Sequence, residues 1–300
     1  MQIVKTEHIE FDENYGVQLD IRREDLIHPY ISGNKFRKLK YNIIEAKEQA
    51  FKSLLTFGGA YSNHIAATAY AGKLYSIPTI GIIRGDELAT KINENPTLKY
   101  AQSMGMHLEF VSRDKYRQKQ NREFLDGWKN KYNQAYLLPE GGTNELAIKG
   151  CEEILTQGDN QYNYICSSVG TGGTLAGLIR ASDPNQFVMG FSALKGQGLK
   201  EDISNFVNQT NWDVNYDYHF GGYAKINDDL VSFINEFKDR YSIPLDPVYT
   251  GKMMYGIMKL IEAQYFPKGS KILAIHTGGL QGIKGMNMRL SRLQKPLINE

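Results

Sequence analysis

A glycine-rich segment between a predicted strand and a predicted helix is the clearest candidate for chemistry in the sequence. It reads Ser168-Val169-Gly170-Thr171-Gly172-Gly173-Thr174. Glycines allow backbone N–H groups to converge, and the positive end of the following helix adds to their potential, so the segment predicts a phosphate-binding loop. It lacks the Lys-Ser or Lys-Thr of a P-loop and the GxGxxG spacing of a dinucleotide fingerprint. A tight turn with capping threonines is the alternative interpretation.

A lysine in a second segment could supply a reactive amine. Lys35 lies in Ser32-Gly33-Asn34-Lys35-Phe36-Arg37-Lys38-Leu39. An amine nucleophile must lose its proton near pH 7, and desolvation or cationic neighbours such as Arg37 and Lys38 favour that loss. The alternative is that these basic residues lie on the solvated face of a helix.

A polar turn after a predicted strand carries Ser62, Asn63 and His64. Ser62 could cap a helix or lie at the rim of an active site, and the next two side chains add donors for an anionic oxygen. A phosphate loop, a candidate Schiff-base lysine and hydroxyl-rich turns together predict a site for pyridoxal 5′-phosphate (PLP).

The elements that must position these segments alternate between strands and helices. We predict strands at 53–57, 78–83, 107–111, 135–138, 164–166, 187–192, 214–219 and 271–275. We predict helices at 63–75, 96–104, 116–132, 145–155, 174–181, 199–207, 229–241 and 252–264. Strand–helix–strand repetition at this spacing predicts right-handed parallel units.

The predicted fold is therefore α/β, with two lobes of parallel sheet flanked by helices. We expect residues 1–48 and 145–300 to form a large PLP-binding domain and residues 49–144 to form a smaller α/β domain. Ligands of such sheets bind beyond the carboxyl ends of the strands, so we expect the cofactor between the lobes.

The composition of the 300 residues excludes several classes of protein. Lys and Arg together number 35 against 33 Asp and Glu, a formal net charge of +2, which provides no basic field for nucleic acid. The longest apolar runs are too short to cross a bilayer, and the acidic N-terminal segment does not resemble a targeting peptide. Two cysteines cannot form a disulfide framework or a Cys-based zinc site, so we expect no metal. A cytoplasmic location is expected.

Five ordered motifs resemble those of the fold type II PLP enzymes, in the branch that contains 1-aminocyclopropane-1-carboxylate (ACC) deaminase and D-cysteine desulfhydrase. The resemblance extends from about Arg22 to Gly285 and implies a tryptophan synthase β-like fold. The matching segments are Gly33-Asn34-Lys35-Phe36-Arg37-Lys38-Leu39, Ser62-Asn63-His64, Gly170 to Thr174, Asp246-Pro247-Val248-Tyr249-Thr250-Gly251-Lys252 and His276-Thr277-Gly278-Gly279.

The resemblance implies a role for each motif. Lys35 would bond to PLP and then act as a base, with Ser62, Tyr249 and Tyr223 as further catalytic residues. The expected cofactor contacts are Lys35, Asn63, Gly170, Thr171, Gly172, Gly173, Thr174, Thr250 and Thr277. Ser62, Asn63 and His64 would bind the substrate. A homodimer is also expected, because relatives are usually dimers.

Thr250 and Thr277 are the expected substrate discriminators. Enzymes similar to ACC deaminase carry Glu and Leu there, whereas desulfhydrase-like members carry threonines. A carboxylate would keep the pyridine nitrogen protonated, while a threonine hydroxyl leaves it neutral. A neutral ring should suffice when the α-hydrogen is labile and a thiolate leaves, so we expect conversion of D-cysteine to pyruvate, sulfide and ammonia. ACC deamination is the alternative.

The sequence departs from the family pattern around Tyr223. The segment reads Gly222-Tyr223-Ala224-Lys225-Ile226-Asn227, without the usual glycine and proline after the tyrosine. This departure leaves open a PLP-binding protein with little turnover. A nucleotide-binding module that uses the glycine loop is a lower-ranked alternative.

Overall fold

Two β-sheets with helices packed against them form the framework of the protein. The computed structural model describes residues 4–300. The larger sheet contains six strands, which are β1 (Thr6–His8), β2 (Gln18–Arg22), β7 (Tyr164–Val169), β8 (Phe187–Ser192), β9 (Trp212–Asn215) and β10 (Lys271–Ile275). Their spatial order is β1-β2-β10-β7-β8-β9. Only the edge strand β1 pairs antiparallel with its neighbour; the other pairings are parallel.

The smaller sheet is entirely parallel. Its strands are β3 (Ser53–Gly58), β4 (Thr79–Arg84), β5 (His107–Val111) and β6 (Ala135–Leu138), in the spatial order β5-β4-β3-β6. All six residues of β3 are buried, as expected for a central parallel strand that helices cover on both faces.

Eleven α-helices are formed by the described residues. They are α1 (Asn34–Glu48), α2 (Asn63–Tyr75), α3 (Pro96–Ser103), α4 (Arg113–Arg117), α5 (Arg122–Lys131), α6 (Glu145–Glu152), α7 (Gly173–Ala181), α8 (Leu199–Ser204), α9 (Asp228–Tyr241), α10 (Thr250–Glu262) and α11 (Gly282–Arg292). Separate clusters of buried apolar residues lie on the two faces of each sheet, and they fix the planes from which the connecting loops project. Within residues 4–300, no helix combines the length and the apolar character needed to cross a membrane.

The two-lobed α/β prediction is confirmed, with several local corrections. The predicted helix at 116–132 is two helices, because Asn121 accepts a hydrogen bond from Glu123 N and begins α5 there. The strand predicted at 214–219 is shorter and earlier, since β9 ends at Asn215. Strands β1 and β2 and helices α1 and α11 were not predicted. The domain boundaries at 48/49 and 144/145 stay a prediction.

Candidate active site

A cavity of about 460 Å³ lies where the carboxyl ends of the strands of both sheets meet. Its walls are segments that follow β3, β4 and β6 in one sheet and β7, β8 and β10 in the other, together with the start of α1. A cavity of this size accommodates a cofactor with a small substrate. The predicted residues that line it are Lys35, Ser62, Asn63, His64, Gly170, Thr171, Gly172, Thr174, Tyr223, Tyr249 and Thr277.

Lys35 enters this cavity from the first turn of α1. The preceding Gly33 has φ 60° and ψ −137°, a conformation open essentially to glycine, and it turns the chain tightly against Thr277. Lys35 Nζ donates a hydrogen bond to the carbonyl oxygen of Gly141 at 3.0 Å. Burial, aided by the Lys38 ammonium, lowers the pKa of Lys35 well below its usual value. The amine is therefore suited to act as a nucleophile.

The glycine loop forms a cup at the start of α7. Gly172 has a left-handed φ of 82°, which directs the chain into the helix. Asn34 Nδ2 donates to Thr174 Oγ1 at 2.8 Å and joins the cup to α1. Lys38, only 2% exposed, extends toward the same loop and donates to Thr143 Oγ1 at 3.1 Å. Backbone N–H groups at a helix N-terminus beside a lysine suit a phosphate group.

Gly173, also predicted in the loop, does not line the cavity. A Cβ there would lie 2.8 Å from Thr143 Oγ1 and 3.1 Å from Lys38 Nζ. The absence of a side chain at Gly173 therefore allows Lys38 and Thr143 to approach the start of α7. A Cβ at this position would point toward these two residues.

The polar turn at residues 62–64 begins α2. Ser62 Oγ accepts from the backbone N–H of Ile65 at 3.3 Å, so the serine is a helix cap and also lines the cavity. Asn63 Oδ1 accepts from Gln281 Nε2 at 3.2 Å, a contact that joins the turn to the segment before α11. The first N–H groups of α2 have no helical acceptor and lie beside the cavity.

The His64 side chain, predicted to donate to the substrate, makes its hydrogen bond inside the protein. Thr56 Oγ1 donates its single proton to the carbonyl oxygen of Leu138 at 3.0 Å, so it accepts from His64 Nε2 at 2.8 Å. The ring proton is thereby used inside the protein, and Nδ1 is buried without a partner among the described residues. Burial and the charges of Lys35 and Lys38 hold the pKa of His64 well below its usual value, so the ring is neutral.

Tyr249 and Tyr223 meet at the wall of the cavity. Their ring centroids are 6.2 Å apart in an edge-to-face arrangement. The carboxylate of Asp246 accepts from the backbone N–H groups of Val248 and Tyr249, at 2.9 and 3.0 Å, and fixes the start of α10. Burial raises the pKa of the Tyr249 phenol well above its usual value, so this group keeps its proton. Tyr223 is 44% exposed at the cavity mouth.

A buried lysine joins the segments that carry the two tyrosines. Lys252, 2% exposed on α10, donates to the carbonyl oxygens of His219 and Gly222 at 2.9 and 2.8 Å. Gly221 and Gly222 both have positive φ, which allows the chain to turn immediately before Tyr223. The position of Tyr223 is therefore coupled to the helix that begins beside Tyr249.

The two predicted discriminator threonines occupy different environments. Thr250 is fully buried, donates to Asp246 Oδ1 at 2.7 Å and does not line the cavity. The hydroxyl serves the start of α10, and the predicted contact of Thr250 with the cofactor stays a prediction. Thr277 does line the cavity, and its hydroxyl lies 3.1 Å from that of Ser168.

Comparison with known proteins assigns a family to this arrangement. Residues 3–190 match the family described as pyridoxal-phosphate dependent enzyme. The chain belongs to this family. PLP is therefore its cofactor, and the resemblance predicted from the five motifs is confirmed. The residues of the cavity fit PLP. The Lys35 amine, which has a lowered pKa, and a glycine loop suited to a phosphate group, with the buried Lys38 beside it, line the same cavity.

Relatives of this PLP-dependent enzyme place it with the ACC deaminase and D-cysteine desulfhydrase proteins. A Pyrococcus abyssi protein provisionally named 1-aminocyclopropane-1-carboxylate deaminase is 32% identical over 291 residues, covering 89% of this chain and 86% of that protein. An Arabidopsis thaliana protein named bifunctional D-cysteine desulfhydrase/1-aminocyclopropane-1-carboxylate deaminase, mitochondrial, is 30% identical over 89% of this chain and 74% of its own. The solved structure of an ACC deaminase homologue gives a TM-score of 0.83 at 28% identity, covering 97% of this chain and 93% of that one.

The site also contains residues that the sequence analysis did not assign to it. Arg84, Glu140, Ser168 and Leu194 line the cavity of the PLP-dependent enzyme. Arg84 ends β4 and Glu140 follows β6 by two residues. Both residues lie at or just after the carboxyl end of a parallel strand. Because these ends converge at one edge of the sheet, that position was the sequence signal from which the two residues could have been assigned to the site.

Replacing Gly33 with alanine is expected to destabilise the enzyme by more than about 2 kcal/mol. A Cβ at residue 33 would lie 1.9 Å from the carbonyl oxygen of Thr277, and the backbone conformation is unfavourable for alanine. Urea unfolding of the PLP-free protein measures the loss. Gly127→Ala on α5 is the matched control, because a Cβ there meets nothing within 4 Å and φ is helical. Equal stability of the two variants would show that the Gly33 turn is not constrained.

Proposed function

We propose that this enzyme removes a β-substituent from a small amino acid with release of ammonia, and that its substrate is D-cysteine. The observation that carries the proposal is the hydroxyl of Thr277 on the cavity wall, which among residues 4–300 pairs with the Ser168 hydroxyl alone. We assign this wall to the pyridine nitrogen of PLP, where a hydroxyl would leave the ring neutral. A neutral ring suits a substrate with a labile α-hydrogen and a good leaving group.

Lys35 is assigned the two central tasks in this reaction. Its amine would hold PLP through the aldehyde carbon of the cofactor and, once free of it, would accept the proton from the substrate α-carbon. Bound PLP withdraws electrons from that carbon. The sulfur then leaves the β-carbon with its electron pair, and addition of water gives pyruvate, sulfide and ammonia.

The remaining residues hold and orient the reactants. The loop from Gly170 to Thr174 and the Lys38 ammonium bind the phosphate group. The backbone N–H groups at the start of α2, next to Ser62 and Asn63, bind the α-carboxylate of the substrate. The neutral Tyr249 phenol would donate a proton, and its raised pKa and its contact with Tyr223 at the mouth support this role.

ACC deamination is the second candidate: the name of the Pyrococcus abyssi relative favours it, while the name of the Arabidopsis thaliana relative contains both activities. The physical argument against it is that opening a cyclopropane without an α-hydrogen needs a stronger electron sink than a neutral ring provides. Among the residues described as lining the cavity, Glu140 is the single carboxylate, and its oxygens contact the Tyr116 hydroxyl at 2.6 Å and Lys119 Nζ at 3.3 Å.

The proposal is tested with the purified, PLP-loaded enzyme. We expect sulfide and pyruvate to form in equal amounts from D-cysteine, with less product from L-cysteine and none from ACC. α-Ketobutyrate from ACC with no sulfide from D-cysteine would replace the proposal with the second candidate. No ammonia from a panel of D- and L-amino acids would favour a PLP-binding protein with little turnover. A homodimer and a cytoplasmic location stay predictions.

A further inference from the structure

One positive charge on the cavity wall has no acceptor among the described residues. Arg84, at the end of β4, lines the cavity, and its guanidinium makes no hydrogen bond or ion pair within residues 4–300. A guanidinium carries its charge throughout the physiological pH range and offers five donors. An arginine beside a ligand cavity with all of these donors available is suited to bind an anion.

The neighbouring carboxylate is already engaged. Glu140 Oε1 accepts from the Tyr116 hydroxyl at 2.6 Å, and Glu140 Oε2 lies 3.3 Å from Lys119 Nζ. Both of its oxygens therefore have partners other than Arg84. The Arg84 guanidinium therefore lines the cavity without a carboxylate partner among the described residues.

Arg84 also has a defined place in the wall. Its guanidinium carbon lies 6.0 Å from the centre of the Tyr116 ring, at the outer limit of a cation–π contact. The Tyr116 ring is 2% exposed and is held through its hydroxyl by Glu140. On the other side, Arg84 Nη2 would lie 3.8 Å from a Cβ at Gly59, so the guanidinium reaches the turn that leads to α2.

We propose that Arg84 forms an anion subsite beside the β-carbon of the bound amino acid. This inference rests on the proposed function, which assigns the α-carboxylate to the N–H groups at the start of α2 and the phosphate of PLP to the cup at α7. With those two anions placed, Arg84 is the cavity-lining guanidinium that remains for a third. The ligand class is then an α-amino acid with an anionic group near its β-carbon: the thiolate of the proposed substrate D-cysteine, or a carboxylate or sulfonate in a ligand that binds without reacting.

The test compares the binding of D-aspartate and D-asparagine to the PLP-loaded enzyme by isothermal titration calorimetry. The two ligands have the same shape and differ in the charge of the β-substituent. We expect aspartate to bind about tenfold more tightly than asparagine. Arg84→Gln should remove that preference by weakening aspartate alone, and Arg84→Lys should restore part of it. The control is Arg117→Gln, because Arg117 is exposed on α4 and pairs with Asp114 away from the cavity.

Two results would overturn the inference. Equal affinities for the two ligands in the wild type would mean that Arg84 does not contact the β-substituent. Equal weakening of both ligands in Arg84→Gln would mean that Arg84 binds the α-carboxylate. Neither ligand needs to lose its β-substituent to bind, so these results do not depend on whether D-cysteine is turned over.

Discussion

Lys35→Ala is expected to abolish the covalent bond between enzyme and PLP and to lower kcat/KM by at least about 10²–10⁴-fold. The variant loses both the amine that bonds to the cofactor and the base that accepts the α-proton. Borohydride reduction of the wild type should fix PLP to the peptide that contains Lys35. The measurements are the visible absorption spectrum, peptide mapping by mass spectrometry and the rate of pyruvate release.

Lys38→Met is the matched control for this experiment. Lys38 lies one turn further along α1, is equally part of the cavity wall and contacts Thr143 and Gly141. We expect this variant to bind PLP more weakly while the reduced adduct still maps to Lys35. An adduct on Lys38 in the wild type, or normal activity in Lys35→Ala, would reverse the two assignments.

The lowered pKa of Lys35 explains why one amine can serve both steps. Burial and the neighbouring ammonium of Lys38 destabilise its protonated form, so more of the amine is neutral at a given pH than for an exposed lysine. The hydrogen bond that it donates to the carbonyl oxygen of Gly141 does not neutralise a charge. The reactivity of the Lys35 amine therefore comes from its burial in the cavity wall and from the neighbouring Lys38.

The strands and helices with strong periodicity were predictable from sequence. The predicted ranges of α2 and of β5 and β6 equal the observed ones. In each case an apolar run is bounded by glycine, proline or a capping residue, which are strong local signals. Helix α11 begins with Gly282 and contains Gly285, and such residues favour a loop when only local sequence is considered.

The candidate site was predictable as a set of loops but not in its hydrogen bonding. Glycines after strands located the cavity, because parallel strands deliver their carboxyl ends to one edge. The orientation of the His64 side chain on α2 depends on Thr56 of β3 and Leu138 of β6. Thr250 likewise donates a hydrogen bond to Asp246 and does not line the cavity. Such pairings are decided by tertiary packing, which a motif does not contain.

Tyr249→Phe is expected to lower kcat/KM for D-cysteine by about 10²–10⁴-fold while the PLP absorption spectrum stays that of the wild type. The sequence analysis assigned Tyr249 and Tyr223 a catalytic role without specifying whether either is an acid or a base. Because burial raises the pKa of Tyr249 well above its usual value, its hydroxyl keeps its proton, and we propose that it serves as the acid. The measurement is kcat/KM across pH for both proteins.

The controls for this variant separate its chemistry from packing. Tyr255→Phe changes a tyrosine on the same helix that packs against Phe220 and Phe233 and does not line the cavity, so activity should be unchanged. Tyr223→Phe should cost less than Tyr249→Phe, since water can reach the half-exposed Tyr223 and replace its proton. If Tyr223→Phe caused the larger loss, the acid would be Tyr223, and Tyr249 would serve to hold its ring. If neither variant lost activity, the proton would have to come from Lys35 after it has taken one from the α-carbon, and the cavity would need no second acid.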